Sequence, residues 1–236
     1  MLVRRSIALG DLESLLTSTD QQADHAAMRS AIIEDNLLAK GTGQARQNSL
    51  RQLTYFYGLD STMPAFTVFR RLYSHYPREQ SILALVLACS HDPVLRSAIA
   101  YIVRQPPGSI VSHKALAEVV LKAGATYGPA SLHKIAENAL ASSTMAGITR
   151  GVPVRRAEFQ PGAASAAYVA WLAHKAGASG SAIFDSALFG CLGLEQAAVR
   201  EACVEAARRS LLELRAAGNV VEITFRLFEG IIAEAK

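Results

Sequence analysis

The chain has 236 residues, of which 50% are hydrophobic and 19% charged, so apolar material for a core is ample and general disorder is excluded. Its 16 glycines and 8 prolines exclude collagen-like and low-complexity classes. A formal charge of +4 and a pI of about 9.1 permit a nucleic-acid partner without establishing one.

Helical periodicity dominates the chain. Residues 23–40 read as a helix, with Ala27, Ile32, Ile33, Leu37 and Leu38 apolar and Gly41 as its stop. Thr42 is placed to cap a second helix that runs to Tyr57 and ends at Gly58. A third spans Thr62 to Tyr76, with Phe66, Phe69, Tyr73 and Tyr76 on its apolar stripe and Arg70, Arg71, Ser74 and His75 on the other side. Residues 79–90 are apolar nearly all round, which predicts a buried helix. Asp92-Pro93 opens the next, which stops at Pro106-Pro107-Gly108. Ser112 caps a helix to Ala123, Gly124 to Pro129 is a break, and another helix runs from Ser131 to Ser142. Residues 144–162 hold Gly147, Gly151, Pro153, Pro161 and Gly162 without clear periodicity and read as a loop. Helices follow at 163–176, 181–190 and 195–209. Leu211 to Arg215 and Val220 to Phe225 are β-prone runs that predict an antiparallel hairpin, with Gly218 and Asn219 able to take positive φ.

This order predicts an all-α fold: a helical bundle with helix-turn-helix or winged-helix units and one short C-terminal β-hairpin. The expected division is an N-terminal helix-turn-helix-like domain over 1–105 and a C-terminal helical domain over 106–236, with 144–162 an internal loop. No βαβ alternation occurs, which argues against Rossmann and P-loop architectures. Three cysteines, Cys89, Cys191 and Cys203, with no CxxC pair, argue against a disulfide framework and a zinc ribbon. The start MLVRRSIALGDLES lacks the h-region and cleavage site of a signal peptide. The longest strongly apolar run, Ile82 to Cys89, is far short of the roughly 20 residues of a membrane span. A soluble cytoplasmic protein with no membrane partner is expected.

Charge is distributed unevenly. From Lys40 to Arg78 six basic residues face one acid, Asp60, and from Arg96 to Arg156 eight face Glu118 and Glu137. Residues 161–236 hold seven basic and eight acidic residues. Basic side chains gathered on one face replace the counterions of a phosphate backbone; the plainer alternative is a set of ordinary solvated helix faces. The polar helix start Thr42 to Arg51 offers Thr42, Gln44, Arg46, Gln47 and Arg51, residue types that bond base edges and phosphates. Arg46 and Arg51 lie off the apolar stripe of Ala45, Leu50, Leu53 and Phe56, so their removal should leave stability almost unchanged. Arg70 and Arg71, His133 and Lys134 of SLHKIAEN, and Arg150, Arg155 and Arg156 complete the candidate DNA-contacting set. A further C-terminal group is Arg200, Arg208, Arg209, Arg215 and Asn219.

Enzyme signatures are weak. Ser131 to Lys134 fits SxxK, but the accompanying SDN and KTG are absent, and an N-cap serine with a solvent-facing lysine explains it. The six histidines form no HExxH and no zinc spacing with cysteine. His91 beside Asp92 reads as a helix-capping pair. Glu34 and Asp35 point in different directions on a helix, and Gly177 to Gly180 is too short for a phosphate cradle. No catalytic site, cofactor or metal site is expected.

Ile33-Glu34-Asp35-Asn36-Leu37-Leu38, followed by the polar helix Thr42 to Arg51, resembles the N-terminal part of the BrxA family of bacterial phage-exclusion (BREX) systems. The later order is similar too: Ser142-Ser143-Thr144 before Gly147, a variable basic stretch, an apolar helix pair and a Gly-containing hairpin. The chain departs from the family by its Ala-rich C-terminal half and its extended segment Ile148 to Gly162. The resemblance implies an all-α protein of winged-helix character that binds double-stranded DNA without catalysis, with other phage-defence proteins as further partners. It implicates Gln44, Arg46, Gln47 and Arg51 in DNA contact. Two other readings stand beside it: a winged-helix transcription regulator, and a helical protein–protein scaffold using exposed apolar surface around Phe184 and Phe189.

Overall fold

Side-chain caps at Asp24, Thr42, Asp92 and Ser112 set four of the described helix starts. The computed structural model describes residues 5–123, 127–218 and 220–235. It begins with α1 (Leu9–Ser18) and α2 (His25–Ile33), the latter N-capped by Asp24. Thr42 caps α3 (Gly43–Tyr57) by accepting from the Ala45 N–H at 3.1 Å, and Gly58 ends it at φ +79°. α4 (Pro64–His75) carries Phe66, Phe69 and Tyr73 into the core, and Pro77 starts the short 3₁₀ turn Pro77–Glu79. α5 (Gln80–His91) is buried at every position from Ile82 to Cys89, as its composition requires. Asp92 then caps α6 (Pro93–Val103), accepting from Val94 and Leu95 N–H at 2.9 Å each. His91 shares no part of that cap; its Nδ1 lies 3.0 Å from the Phe56 carbonyl.

Ser112 caps α7 (His113–Lys122), which is followed by α8 (Pro129–Met145). Gly124, at the head of the expected break between them, lies outside the described residues. Ser131 sits in the first turn of α8 and is not its cap, since Gly128 holds that place. The segment read as a loop contains an antiparallel strand pair, β1 (Thr149–Arg150) and β2 (Arg155–Arg156). α9 (Ala163–Lys175) is buried from Ala163 to Ala173. Two 3₁₀ turns, Gly180–Asp185 and Ala187–Leu192, replace the α-helix expected at 181–190. α10 (Gln196–Arg208) leads into the hairpin β3 (Glu213–Ala217) and β4 (Val220–Thr224), with Leu214 opposite Ile223 and Ala217 opposite Val220. Gly218 takes φ +58° in the turn, and Asn219 lies outside the described residues. The chain does not stop at this hairpin: α11 (Arg226–Glu234) packs Phe228 and Ile231 against the core.

The fold is mostly helical with two small antiparallel strand pairs, so the single hairpin expected becomes two. Buried side chains from Ile7 to Ile231, on both sides of residue 105, join one hydrophobic cluster. Among the described residues no helix is long and apolar enough to cross a membrane.

The helix expected over 23–40 ends at Ile33. Asn36 and Ala39 both take φ +50°, the Leu37 N–H reaches back to the Ala31 carbonyl at 3.0 Å, and Asn36 Oδ1 accepts from the Lys40 N–H at 2.8 Å. Asparagine tolerates the left-handed region and offers the backbone a competing acceptor, so the helical apolar spacing beyond it is overridden.

Two tyrosines tie the core internally. The Tyr57 hydroxyl donates to the Ile7 carbonyl at 2.6 Å and the Tyr168 hydroxyl to that of Ala65 at 2.8 Å. Burial pushes both phenols well above their ordinary range. Below pH about 10 both states keep these protons; above it the unfolded chain releases them and the folded one does not. Stability should therefore fall as pH rises beyond about 10, by up to about 1.4 kcal/mol per pH unit for each tyrosine. Urea midpoints from pH 8 to 11 check this, with a shallower decline expected for Tyr57→Phe.

Candidate nucleic-acid interface

The segment after α6 runs alongside the β1–β2 hairpin. The Gly108 N–H donates to the Arg156 carbonyl at 2.7 Å, the Arg156 N–H to Ser109 at 2.9 Å, and the Val111 N–H to Val154 at 3.0 Å. Ile110 forms a β-bridge with Arg155. The local order is thus α6, a bridging strand segment, α7, α8, and a two-stranded hairpin.

The base of the hairpin is fixed from within. Thr149 is buried, and its hydroxyl lies 2.8 Å from those of both Ser143 and Thr144 at the end of α8. Opposite it, Arg156 is buried; its Nε donates to the Val103 carbonyl at 3.2 Å and its Nη1 to that of Ala157. Burial draws its guanidinium below the usual arginine range.

One residue toward the tip the pattern inverts, because successive side chains point to opposite faces. Arg150 and Arg155 face each other directly across the strand pair, and both are exposed. Like charges in that position repel. Arg155 Nη1 donates to the Gly108 carbonyl at 2.9 Å, and among the described residues neither arginine forms an ion pair. They line an open cavity of about 530 Å³ with Pro107, Gly108, Gly151, Arg156 and Glu158, three guanidiniums against one carboxylate. Gly151 turns the chain at φ +79°, and Val152 stands fully in solvent at the apex.

On the preceding helix His133 and Lys134 are exposed. Both approach Glu137, Lys134 Nζ at 2.9 Å and His133 Nε2 at 3.3 Å. The Lys134 hydrogen bond holds the Glu137 carboxyl below its ordinary range. The His133 ring stacks on His113 of α7 with centroids 5.7 Å apart.

The α3 group is arranged differently. Thr42 serves as the cap, Gln44 is exposed and bonds Asn48 at 3.3 Å, and Gln47 is exposed. Arg51 is exposed and folded onto its own helix, donating to Asn48 Oδ1 at 2.6 Å. Arg46 is half-buried, and its Nη1 donates to the Ile33 carbonyl at 2.8 Å. It thereby satisfies the carbonyl end of α2, so the expectation that Arg46 is dispensable for stability does not hold. Arg70 also departs from expectation. It is only 4% exposed, stacks on Phe66 with its guanidinium carbon 5.8 Å from the ring centroid, and donates to the carbonyls of Asp20 and Ala23. Burial draws its guanidinium down as well. The helical wheel placed it outward because the loop after α1, which covers that face, leaves no trace in the local pattern. Arg71 is exposed and paired with Glu234 of α11 at 2.6 Å.

Four of the C-terminal cations stand beside acids. Arg208 and Arg209 meet Glu205, at 3.7 and 2.8 Å, Arg226 meets Glu213 at 3.4 Å, and Arg215 stands opposite Glu222. Arg200 lies over the Phe184 ring at 5.3 Å. Phe184 and Phe189 are buried, so the apolar surface that the scaffold reading required is absent there. Among the described residues no group of three or more His, Cys, Asp or Glu side chains could hold a metal ion.

The structure thus brings Arg150 and Arg155 to the exposed face of one hairpin beside the helix that carries His133 and Lys134, and it directs Arg46, Arg70 and Arg156 inward, Arg156 contrary to its place in the expected DNA-contacting set because the Val103 and Ala157 carbonyls take its donors. Sequence reasoning named the hairpin arginines but missed the hairpin. The available signal was a Gly-Val-Pro turn between two Arg-containing dipeptides. No family model, curated protein or solved structure matches the chain.

These placements separate structural from free arginines. Arg70→Met leaves two backbone carbonyls without their donor and should cost about 1–3 kcal/mol. Arg46→Ala should cost about 1 kcal/mol, since one carbonyl is left without its donor. Arg51→Ala should stay within about 0.5 kcal/mol of the parent. Urea denaturation of the three variants measures the order.

Proposed function

We propose that this chain is a non-enzymatic DNA-binding accessory protein of a bacterial phage-defence system, and that residues 93–156 act as a winged-helix unit on duplex DNA. The carrying observation is the directly opposed, exposed pair Arg150 and Arg155. A protein that needed these residues only for folding would gain by replacing one of them with an acid, as the C-terminal hairpin does with Arg215 and Glu222. An opposed cationic pair on a rigid base suits a ligand that brings its own negative charge.

The order of elements supports the same reading. A helix, a short bridging strand, a helix pair and a hairpin follow the winged-helix sequence, with α8 as the recognition helix and β1–β2 as the wing. His133 and Lys134 fall in the N-terminal half of α8, the part such a helix offers to the major groove. The phage-exclusion context rests on the resemblance in 33–38 and 42–51 to the BrxA family, which also supports other defence proteins as partners. The left-handed Asn36 gives the acidic-Asn-Leu-Leu run a physical meaning as the stop of α2. The α3 residues Gln44, Gln47 and Arg51 remain available as a secondary contact.

The test is a fluorescence-anisotropy titration of duplex DNA at several salt concentrations. The parent chain should bind with a salt-dependent affinity. The double variant Arg150→Ala/Arg155→Ala should bind more weakly, with a salt slope shallower by about two units, one for each phosphate no longer neutralised. Its melting temperature should stay close to the parent's, because removal of an opposed like-charge pair offsets loss of the exposed Arg155–Gly108 hydrogen bond. Equal affinities and slopes would overturn this interface.

A further inference from the structure

The start of α1 lacks the closure that α2, α3, α6 and α7 receive from a capping side chain. Ala8 holds its N-cap position at φ +49°, and no side chain accepts from the first turn. Alanine is a poor N-cap, and the left-handed region disfavours it. The first N–H groups of a helix have no partner within it and give its start a partial positive charge. The chain leading to this point is held firmly. The Ile7 N–H donates to the Ser142 hydroxyl at 3.2 Å, while the Ile7 and Ser6 carbonyls accept from Tyr57 and Gln52.

This uncapped end opens into a cavity of about 460 Å³ between α1 and α3. Arg5 and Lys40 line it, with Asp11 as its one carboxylate. Lys40 Nζ meets Asp11 at 2.8 Å, which takes one of three ammonium donors. Ser49 of α3 lines the same space. It is only 7% exposed, and its hydroxyl has no hydrogen-bond partner among the described residues. Polar groups buried to that degree ordinarily have one. The hydroxyl is not sealed off, since Arg46 Nε is the one unpartnered side-chain atom that is, so Ser49 Oγ keeps its access to the cavity. Gly10, in the first turn of α1, lines the cavity too. A Cβ there would meet nothing within 4 Å, so packing does not require glycine. Glycine weakens a helix and leaves its backbone open to close approach.

We infer that this cavity binds a small organic phosphate, with the phosphate held at the start of α1 by the unpaired N–H groups, Arg5, Lys40 and Ser49 Oγ, and the organic part against Leu9, Ala45 and Met145. The inference goes beyond the DNA-binding reading and does not depend on it. Helix N-termini take phosphates because their N–H groups point at the ligand and their dipole favours negative charge. The volume falls within the roughly 300–1,000 Å³ of small-molecule sites. At about 30 Å³ per water-sized group it has room for on the order of fifteen heavy atoms, and a bare phosphate has five. The remaining space faces an apolar wall in which Met145 is 43% exposed.

The experiment titrates the full chain calorimetrically, at fixed ionic strength, with inorganic phosphate, ribose 5-phosphate and adenosine 5′-monophosphate. All three should bind saturably, and at least one of the two organic phosphates should bind tenfold more tightly than inorganic phosphate. Gly10→Asp should weaken that binding at least tenfold by placing a carboxylate in the cavity. Its melting temperature should not fall, because an acid in the first turn suits the helix dipole. Ser49→Ala should weaken binding several-fold and still melt like the parent, since no internal hydrogen bond is lost. Arg150→Ala/Arg155→Ala should bind all three probes as the parent does. Absence of saturable binding, organic phosphates no tighter than inorganic phosphate, or parent-like affinity in either Gly10→Asp or Ser49→Ala would overturn the site. Loss of binding in the hairpin variant would also overturn it, and would place the phosphate at the hairpin instead.

Discussion

Enclosure of α5 is the constraint on which the molecule depends. Eight consecutive residues, Ile82 to Cys89, are buried, so no side of this helix can face water. Each large apolar side chain removed from solvent contributes about 1.5–3 kcal/mol, and a helix apolar all round obtains this only when it is surrounded. α3, α4, α6, α9 and the 3₁₀ turn Ala187–Leu192 supply the enclosure. Its two ends are organised by carboxylates. Glu79, just before α5, accepts from the Ala164 and Ser165 N–H groups at 3.2 and 2.7 Å and so starts α9. A Cβ on the preceding Gly162 would collide with that carboxylate, which accounts for glycine there. Asp92, just after α5, starts α6 and accepts from the Tyr55 hydroxyl of α3 at 2.7 Å.

From α6 the constraint reaches the hairpin. The Val103 carbonyl at the end of α6 receives Arg156, and the hydroxyls at the end of α8 hold Thr149. Neighbouring arginines therefore have opposite fates. Arg156 is a buried tie between hairpin and helix, while Arg155 is a solvent-facing cation, because a strand alternates faces at every residue. A rigid base with a free tip is the arrangement by which a short hairpin can present charge at a defined place without collapsing onto the helices behind it.

Legibility in the sequence followed the range of the interaction responsible. The caps at Thr42, Asp92 and Ser112, the stop at Gly58, and the all-round apolar α5 were readable because each signal lies within about one helical turn. The destinations of Arg46 and Arg70 were not, since the carbonyls they meet lie 13 and about 50 residues away. β1 and β2 are two residues long each, too short for alternation to register, and their pairing depends on the strand segment at 108–111. The end of α2 at Ile33 is hidden because apolar spacing continues through Leu37 and Leu38, although the backbone at Asn36 has already turned left-handed. The pattern of charges thus pointed to Arg150 and Arg155, which share an exposed hairpin face, and it misled where tertiary packing drew Arg46, Arg70 and Arg156 inward.

The net charge of +4 gives a similar lesson about position. Arg208, Arg209 and Arg226 at the C-terminal end are matched by acids at 2.8–3.7 Å, and exposed pairs of that kind contribute little to stability. Their fields also cancel at a distance beyond the Debye length, about 8 Å at physiological ionic strength. The unmatched charge therefore governs what an approaching molecule meets. Arg150 and Arg155 carry part of it on the hairpin, as do other exposed cations without an ion pair among the described residues, Arg51, Lys114 and Lys122, while Lys134 is partly offset by Glu137. On the DNA-binding reading proposed above, a polyanion would be drawn toward the hairpin before any contact forms, and the geometry that repels in the free protein would become attractive as phosphates fill it. Replacing either arginine by glutamate would build the balanced hairpin seen at the C-terminus, which is the arrangement suited to folding and unsuited to a negatively charged partner.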